Sequence, residues 1–135
     1  MAETFSDRSA LQAHQLARLS QLLETVLANN LFYRQKLSPA IGKSISLNSL
    51  EEFFDLVPFT TKDELVADHQ AHPPYGSNLT FPVDRYTRCH QTSGSTGQPM
   101  RWLDTNESWN GLLESWMEVY HAAQVGAEDR IYFAF

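Results

Sequence analysis

The sequence predicts an α/β chain in which a helical N-terminal part, residues 1–75, is followed over residues 76–135 by the start of a β-sheet that is incomplete within these residues. Apolar residues recur at three- and four-residue intervals from about Ser9 to Asn30, the pattern of an amphipathic helix. Two short β-prone segments, Tyr86–His90 and Met100–Leu103, flank a run of Ser, Thr and Gly. A second apolar stripe, from Asn106 to Gln124, leads into the β-prone run Ile131-Tyr132-Phe133-Ala134-Phe135.

In the first helix, Leu16, Leu19, Leu23, Val26 and Leu27 form the stripe, and Ser9 with Gln12 has capping-box spacing at its start. Phe32, Tyr33 and Leu37, followed by Pro39 and Gly42, predict a short helical turn that runs into a loop. Leu47, Leu50, Phe53 and Phe54 predict a short helix over 46–54, capped by Ser46 or Asn48. Val57 must be extended because Pro58 follows it. Thr61 and Glu64 then form a capping box for another helix, with Asp63 and Glu64 in the first turn, where the dipole favours acids.

The turn-rich stretch His72-Pro73-Pro74-Tyr75-Gly76-Ser77-Asn78 divides the two parts. In the last helix Trp109, Leu112, Leu113, Trp116, Tyr120 and Ala123 line one face, which reads as core, and Gly126 stands where a left-handed C-terminal cap is expected. A buried strand needs neighbours on both sides, so the strand at Ile131–Phe135 implies the N-terminal piece of a larger domain.

A net charge of −6 with no Lys/Arg run argues against nucleic acid as a partner, because phosphate-backbone binding depends on clustered positive charge. A nucleoside triphosphate needs no such cluster, since backbone N–H groups can hold its phosphates. Cys89 is the only cysteine, which excludes an intrachain disulfide and suits a reducing, cytoplasmic setting. No apolar run approaches the roughly 18 residues of a membrane span, and the acid-bearing N-terminus is unlike a signal peptide.

The run Thr92-Ser93-Gly94-Ser95-Thr96-Gly97 offers glycines free to take positive φ and hydroxyls that donate or accept hydrogen bonds. Successive N–H groups of such a loop can turn inward on an anion. Composition alone leaves two readings open, a phosphate cradle and a flexible connector. The loop is not a Walker A element, because no Lys follows its last glycine, nor a GxSxG nucleophile elbow.

With Gln98-Pro99 behind it, the run resembles the TSGSTGxP signature of adenylate-forming enzymes, the superfamily of acyl-CoA synthetases, peptide-synthetase adenylation domains and luciferases. Phe32-Tyr33-Arg34, the Val57–Leu65 element around Pro58-Phe59-Thr60-Thr61-Lys62, and the Ala122–Arg130 connection with Gly126 and Asp129 are similar to the phenylacetate–CoA ligase branch. The resemblance covers roughly residues 16–135. It implies the start of an adenylation-domain sheet and a two-step ligase using ATP, Mg²⁺, a small carboxylic acid and CoA as acceptor. Thr92, Ser93, Gly94, Ser95, Thr96 and Gly97 would then embrace the β- and γ-phosphates. Many family loops carry Lys after the proline, where this chain has Met100 and then Arg101. The resemblance also implies that the adenine, magnesium and ribose motifs and the catalytic lysine lie beyond Phe135. No catalytic residue is therefore assigned, and the piece alone is expected to be inactive.

The remaining candidates have mostly structural readings. His69 and His72 have i,i+3 spacing but no third metal ligand nearby, so no metal site is expected. His90 adjoins the loop and is a candidate for bonding its backbone, while Cys89 reads as a small buried hydrophobe. Arg101 reads equally as a phosphate contact or a solvated strand residue. Trp109, Trp116 and Tyr120 read as core before aromatic binding surface, and Lys62 as part of a capping segment. Phe133 and Phe135 on a cut sheet invite association, for which a homodimer is one form. Two further functions fit the same sequence: a truncated, non-catalytic nucleotide-binding or interaction module, and a helical binding domain in which the Ser/Thr/Gly run is only a linker.

Overall fold

The structure, a computed structural model, describes residues 5–41, 47–92 and 99–132. It is mostly helical, with one two-stranded antiparallel sheet, consistent with part of an α/β adenylation domain. The order is α1 (Arg8–Asn29), α2 (Leu31–Ile41), α3 (Leu50–Leu56), α4 (Lys62–Ala71), a 3₁₀ turn (Val83–Arg85), β1 (Tyr86–Gln91), β2 (Arg101–Thr105) and α5 (Asn106–Ala122).

Helix α1 is capped by Asp7, whose carboxylate accepts the Ala10 N–H at 2.9 Å. This replaces the expected box at Ser9 and Gln12: a carboxylate at the N-cap accepts the orphan N–H and also meets the positive end of the helix dipole. The stripe buries Leu23 and Leu27 against Leu37 of α2, and Leu19, Tyr33, Ile41, Leu47, Phe53 and Val57 pack around them. Burial of Leu37 holds the turn around Pro39, so α2 runs through the proline to Ile41 instead of ending there. Gly42 and Ser46 lie outside the described residues.

Helix α3 starts later than its periodicity suggests. Ser49 caps it by accepting the Glu52 N–H at 3.1 Å, and Glu52 in turn accepts from the backbone and side-chain N–H groups of Asn48. Asn48 is thus tied to the helix without being its cap. Helix α4 has the predicted capping box between Thr61 and Glu64. Glu64 also pairs with Lys36 of α2. The Lys36 ammonium first, and the Thr61 N–H second, hold its carboxyl at about 2, well below the ordinary 4.5.

The junction of α1 and α2 is a single residue, Asn30, which is 1% exposed. Its N–H donates to Val26 O, closing α1, and its side-chain oxygen accepts the Tyr33 N–H at 3.0 Å, capping α2. Its amide nitrogen donates to Asn78 O at 2.7 Å and to Thr80 Oγ1 at 3.0 Å. The loop after α4 is thereby fastened to the helices. Asp68, also buried, accepts from the Ser77 N–H at 2.7 Å and its hydroxyl at 2.5 Å. Gly76 must be glycine here: its φ is +78°, and a Cβ would lie 2.5 Å from Asp68 Oδ2.

Tyr86 continues this chain of contacts, its hydroxyl accepting the N–H groups of Thr80 and Phe81 at 3.0 and 3.1 Å. Strand β1 then pairs with β2 from Tyr86↔Thr105 to Gln91↔Arg101, with a register shift between Tyr86 and Arg88. Helix α5 follows β2 without a loop, capped by Thr105, which is 3% exposed and accepts the Ser108 N–H at 3.1 Å.

The end of α5 departs from expectation. Gln124, with φ 58°, takes the left-handed position assigned to Gly126. Its N–H donates to His121 O, and the Val125 N–H donates to Tyr120 O, the two bonds of a Schellman motif. Gly126 instead donates to the Asp129 carboxylate at 2.6 Å. Of the expected core face of α5, Leu112, Leu113 and Trp116 are each about half accessible, whereas Trp109 and Tyr120 are partly buried. The helix packs on β2 through its N-terminal turns, which leaves this face uncovered among the described residues. The strand expected at Ile131–Phe135 is not formed at Ile131 and Tyr132, and residues 133–135 lie outside the described residues.

Two outcomes test these local arguments. Asn30→Ala is expected to lower unfolding stability by about 3 kcal/mol, because it orphans a helix N–H and two acceptors at a buried junction; urea midpoints measure it. Gln124→Gly is expected to raise stability by about 1 kcal/mol by relieving the left-handed strain; a lowered or unchanged midpoint contradicts the motif.

Candidate functional site

Of the predicted phosphate-loop residues, Thr92 is described; Ser93, Gly94, Ser95, Thr96 and Gly97 lie outside the described residues. Both stems of the loop are defined. Beyond the last strand pair, Gln91↔Arg101, the Thr92 N–H donates to Met100 O at 3.0 Å. The Met100 N–H donates to Thr92 Oγ1 at 2.9 Å. The two bonds close the neck of the hairpin one residue past the strands, and Met100 is buried there. The Thr92 hydroxyl oxygen is used as an acceptor in this closure, which leaves its O–H as the group able to donate elsewhere.

Two supports hold the hairpin. On one side, His69 of α4 places Nε2 3.1 Å from Arg101 O and Nδ1 2.9 Å from Leu65 O. Its ring thus stands between helix and strand at the loop's exit, with the one N–H of a neutral imidazole donating to one carbonyl or the other by tautomer, and the role of Arg101 seen here belongs to its backbone. His72 lies 3.9 Å from Asp68. Among the described residues no group of three His, Cys, Asp or Glu side chains could hold a metal ion.

On the other side stands the first turn of α5. The His90 ring stacks on Trp109, with centroids 5.2 Å apart and planes at 12°, and His90 Nε2 is 3.5 Å from Asp104 Oδ2. The Arg88 guanidinium lies over the same indole at 5.0 Å, and Arg88 and Thr87 both donate to Asn106 Oδ1. Glu107 in that turn pairs with Arg85 at 3.3 Å. Its own backbone N–H first, then the Thr105 hydroxyl, hold its carboxyl below the usual range. Cys89, expected to be buried, is exposed, because among the described residues no layer covers its face of the two-stranded sheet at that point.

Sequence reasoning passed over Asp68 and the His90–Trp109 stack, and it took Asn30 only as the end of the first helix, where the residue is buried and bonded on every side. An Asn between two helical patterns is a usable signal for a shared cap. The other contacts join residues far apart in the chain and leave no local trace.

No family model matches the chain, and no curated protein matches it. Solved structures do. The open conformation of 2-hydroxyisobutyryl-CoA ligase in complex with 2-HIB-AMP and CoA matches with a TM-score of 0.72 and 28% identity, over 82% of this chain and 25% of that one. The same ligase in the postadenylation state with 2-HIB-AMP matches at 0.72 and 28%, over 82% and 22%. In the thioesterification state with 2-HIB-AMP and CoA it matches at 0.73 and 30%, over 82% and 23%. The structural neighbours are CoA ligases of the adenylate-forming superfamily. This chain spans about a quarter of their length.

The Thr92 closure generates a prediction. Thr92→Val removes the acceptor of the Met100 N–H while keeping the side chain's shape, at a cost of about 1 kcal/mol, so exchange of the Met100 amide is expected to rise about fivefold. Thr92→Ser is expected to retain protection, and equal exchange in all three proteins refutes the neck.

Proposed function

We propose that this chain is part of an ATP-dependent carboxylate–CoA ligase resembling the phenylacetate–CoA ligase branch, with Thr92–Gly97 as its phosphate-binding loop. The supporting observation is the coincidence of the TSGSTGQP run with a hairpin neck closed by Thr92 and Met100, in a chain whose structural neighbours are ligases seen with an acyl-adenylate and CoA. A carboxylate oxygen attacks the α-phosphorus of ATP, the bond to the bridging oxygen breaks, and pyrophosphate leaves. The CoA sulfur then attacks the acyl carbon of the adenylate and AMP departs.

The loop's contribution is binding and orientation. Hydroxyls and backbone N–H groups are neutral donors, suited to phosphates that must later be released as pyrophosphate. Mg²⁺ would supply charge neutralisation on those phosphates, and none of the described residues is assigned to it. The acid and CoA would bind residues beyond this piece, which by itself is proposed to be inactive and to belong to a cytoplasmic enzyme.

The alternative is a truncated module that binds nucleotide without catalysis. ATP–pyrophosphate exchange by the protein encoded in the entire reading frame, measured across a panel of aryl and acyl carboxylates, separates the two. Exchange is expected with at least one acid, and Gly94→Asp is expected to depress it about 100-fold or more while sparing the fold, because it sets a charged side chain where phosphate must approach. Absence of exchange with every acid refutes the ligase reading.

A further inference from the structure

We propose that His90 is a positioning residue for the nucleotide loop, acting by stacking on Trp109 to hold the strand that feeds the loop against helix α5. This rests on the reading of Thr92–Gly97 as the phosphate loop. Alternate strand residues share a face, so Arg88 and His90 lie on the same side of β1, and Thr92 follows directly beyond the strand's end. Arg88 and His90 are the residues by which that side meets the first turn of α5, through the indole of Trp109 and the side chain of Asn106. His90 is the last of these contacts before the neck formed by Thr92 and Met100.

The His90 ring is bound on two sides. Its face lies on Trp109 in a near-parallel stack, and its Nε2 points to Asp104, whose other oxygen accepts from the Ser108 hydroxyl at 2.8 Å. Asp104 and Trp109 belong to the strand leaving the loop and to the helix that directly continues it, so the contacts of His90 close a short circuit: loop entry, imidazole, indole, helix, loop exit. A planar ring at position 90 therefore limits how the entry and exit strands twist about each other. The position of Thr92 follows from that twist, because its N–H and hydroxyl oxygen both bond Met100 across the neck.

The test compares His90→Ala, His90→Gln and His90→Phe in the entire protein, with the KM for ATP and kcat read from ATP–pyrophosphate exchange. His90→Ala is expected to raise the KM for ATP about tenfold, the scale of a lost aromatic stack, with kcat changed much less. His90→Phe, which keeps a flat ring on Trp109 without a titratable nitrogen, is expected to restore KM to within about threefold. His90→Gln, which keeps a polar group for Asp104 without the ring, is expected to behave like Ala. Thermal midpoints show whether any loss is merely one of folding. An unchanged KM in His90→Ala overturns the positioning role and leaves the ligase reading intact. Rescue by Gln and not by Phe also overturns it, in favour of the Asp104 contact. A wild-type protein without exchange overturns the ligase reading itself, and this inference with it.

Discussion

Asn30 is the constraint on which the described structure turns. One residue ends α1, begins α2 and reaches the backbone of a loop 48 positions later, all from a fully enclosed site. Such a residue is tolerated because each of its polar groups is bonded; an apolar replacement would strand a helix N–H and a carbonyl away from water. The angle between the first two helices, and so the small core of Leu23, Leu27 and Leu37, is therefore set together with the path of residues 77–80.

From that point the structure reaches its hairpin through polar contacts. Asp68 holds Ser77, Asn30 holds Asn78 and Thr80, and the Tyr86 hydroxyl holds the backbone of Thr80 and Phe81 at the foot of β1. His69 adds a link from α4 to the exit strand. A two-stranded ribbon has little stability of its own, and these anchors supply what neighbouring strands supply in a larger sheet. Side-chain to backbone bonds thus hold the stem of the hairpin in one place.

The elements with strong periodicity or explicit chemistry were legible: α1 and α5 from their apolar stripes, α4 from Thr61 and Glu64, the end of α3 from Val57-Pro58, and the two strands on either side of the Ser/Thr/Gly run. Caps were less so. Asp7, Ser49 and Gln124 took positions assigned to Ser9, Ser46 or Asn48, and Gly126, because several residues near each helix end can satisfy the same orphan groups and the packing of the helix decides among them. The apolar face of α5 was read as core, yet periodicity reports only that a face is apolar and not what covers it.

For the site, the sequence by itself determined the chemistry available: a run of glycines and hydroxyls between two strands, free of lysine, on which the proposed contacts with phosphate rest. Residue types and their order suffice for this, because donors, acceptors and permissible φ values are properties of single residues. Tertiary structure alone decided how that run is held. The pairing of Thr92 with Met100, the His69 bridge to Arg101 and the His90 stack on Trp109 each depend on where separate elements come to rest, which is set by burial and hydrogen-bond satisfaction across the whole fold and is written in no local pattern.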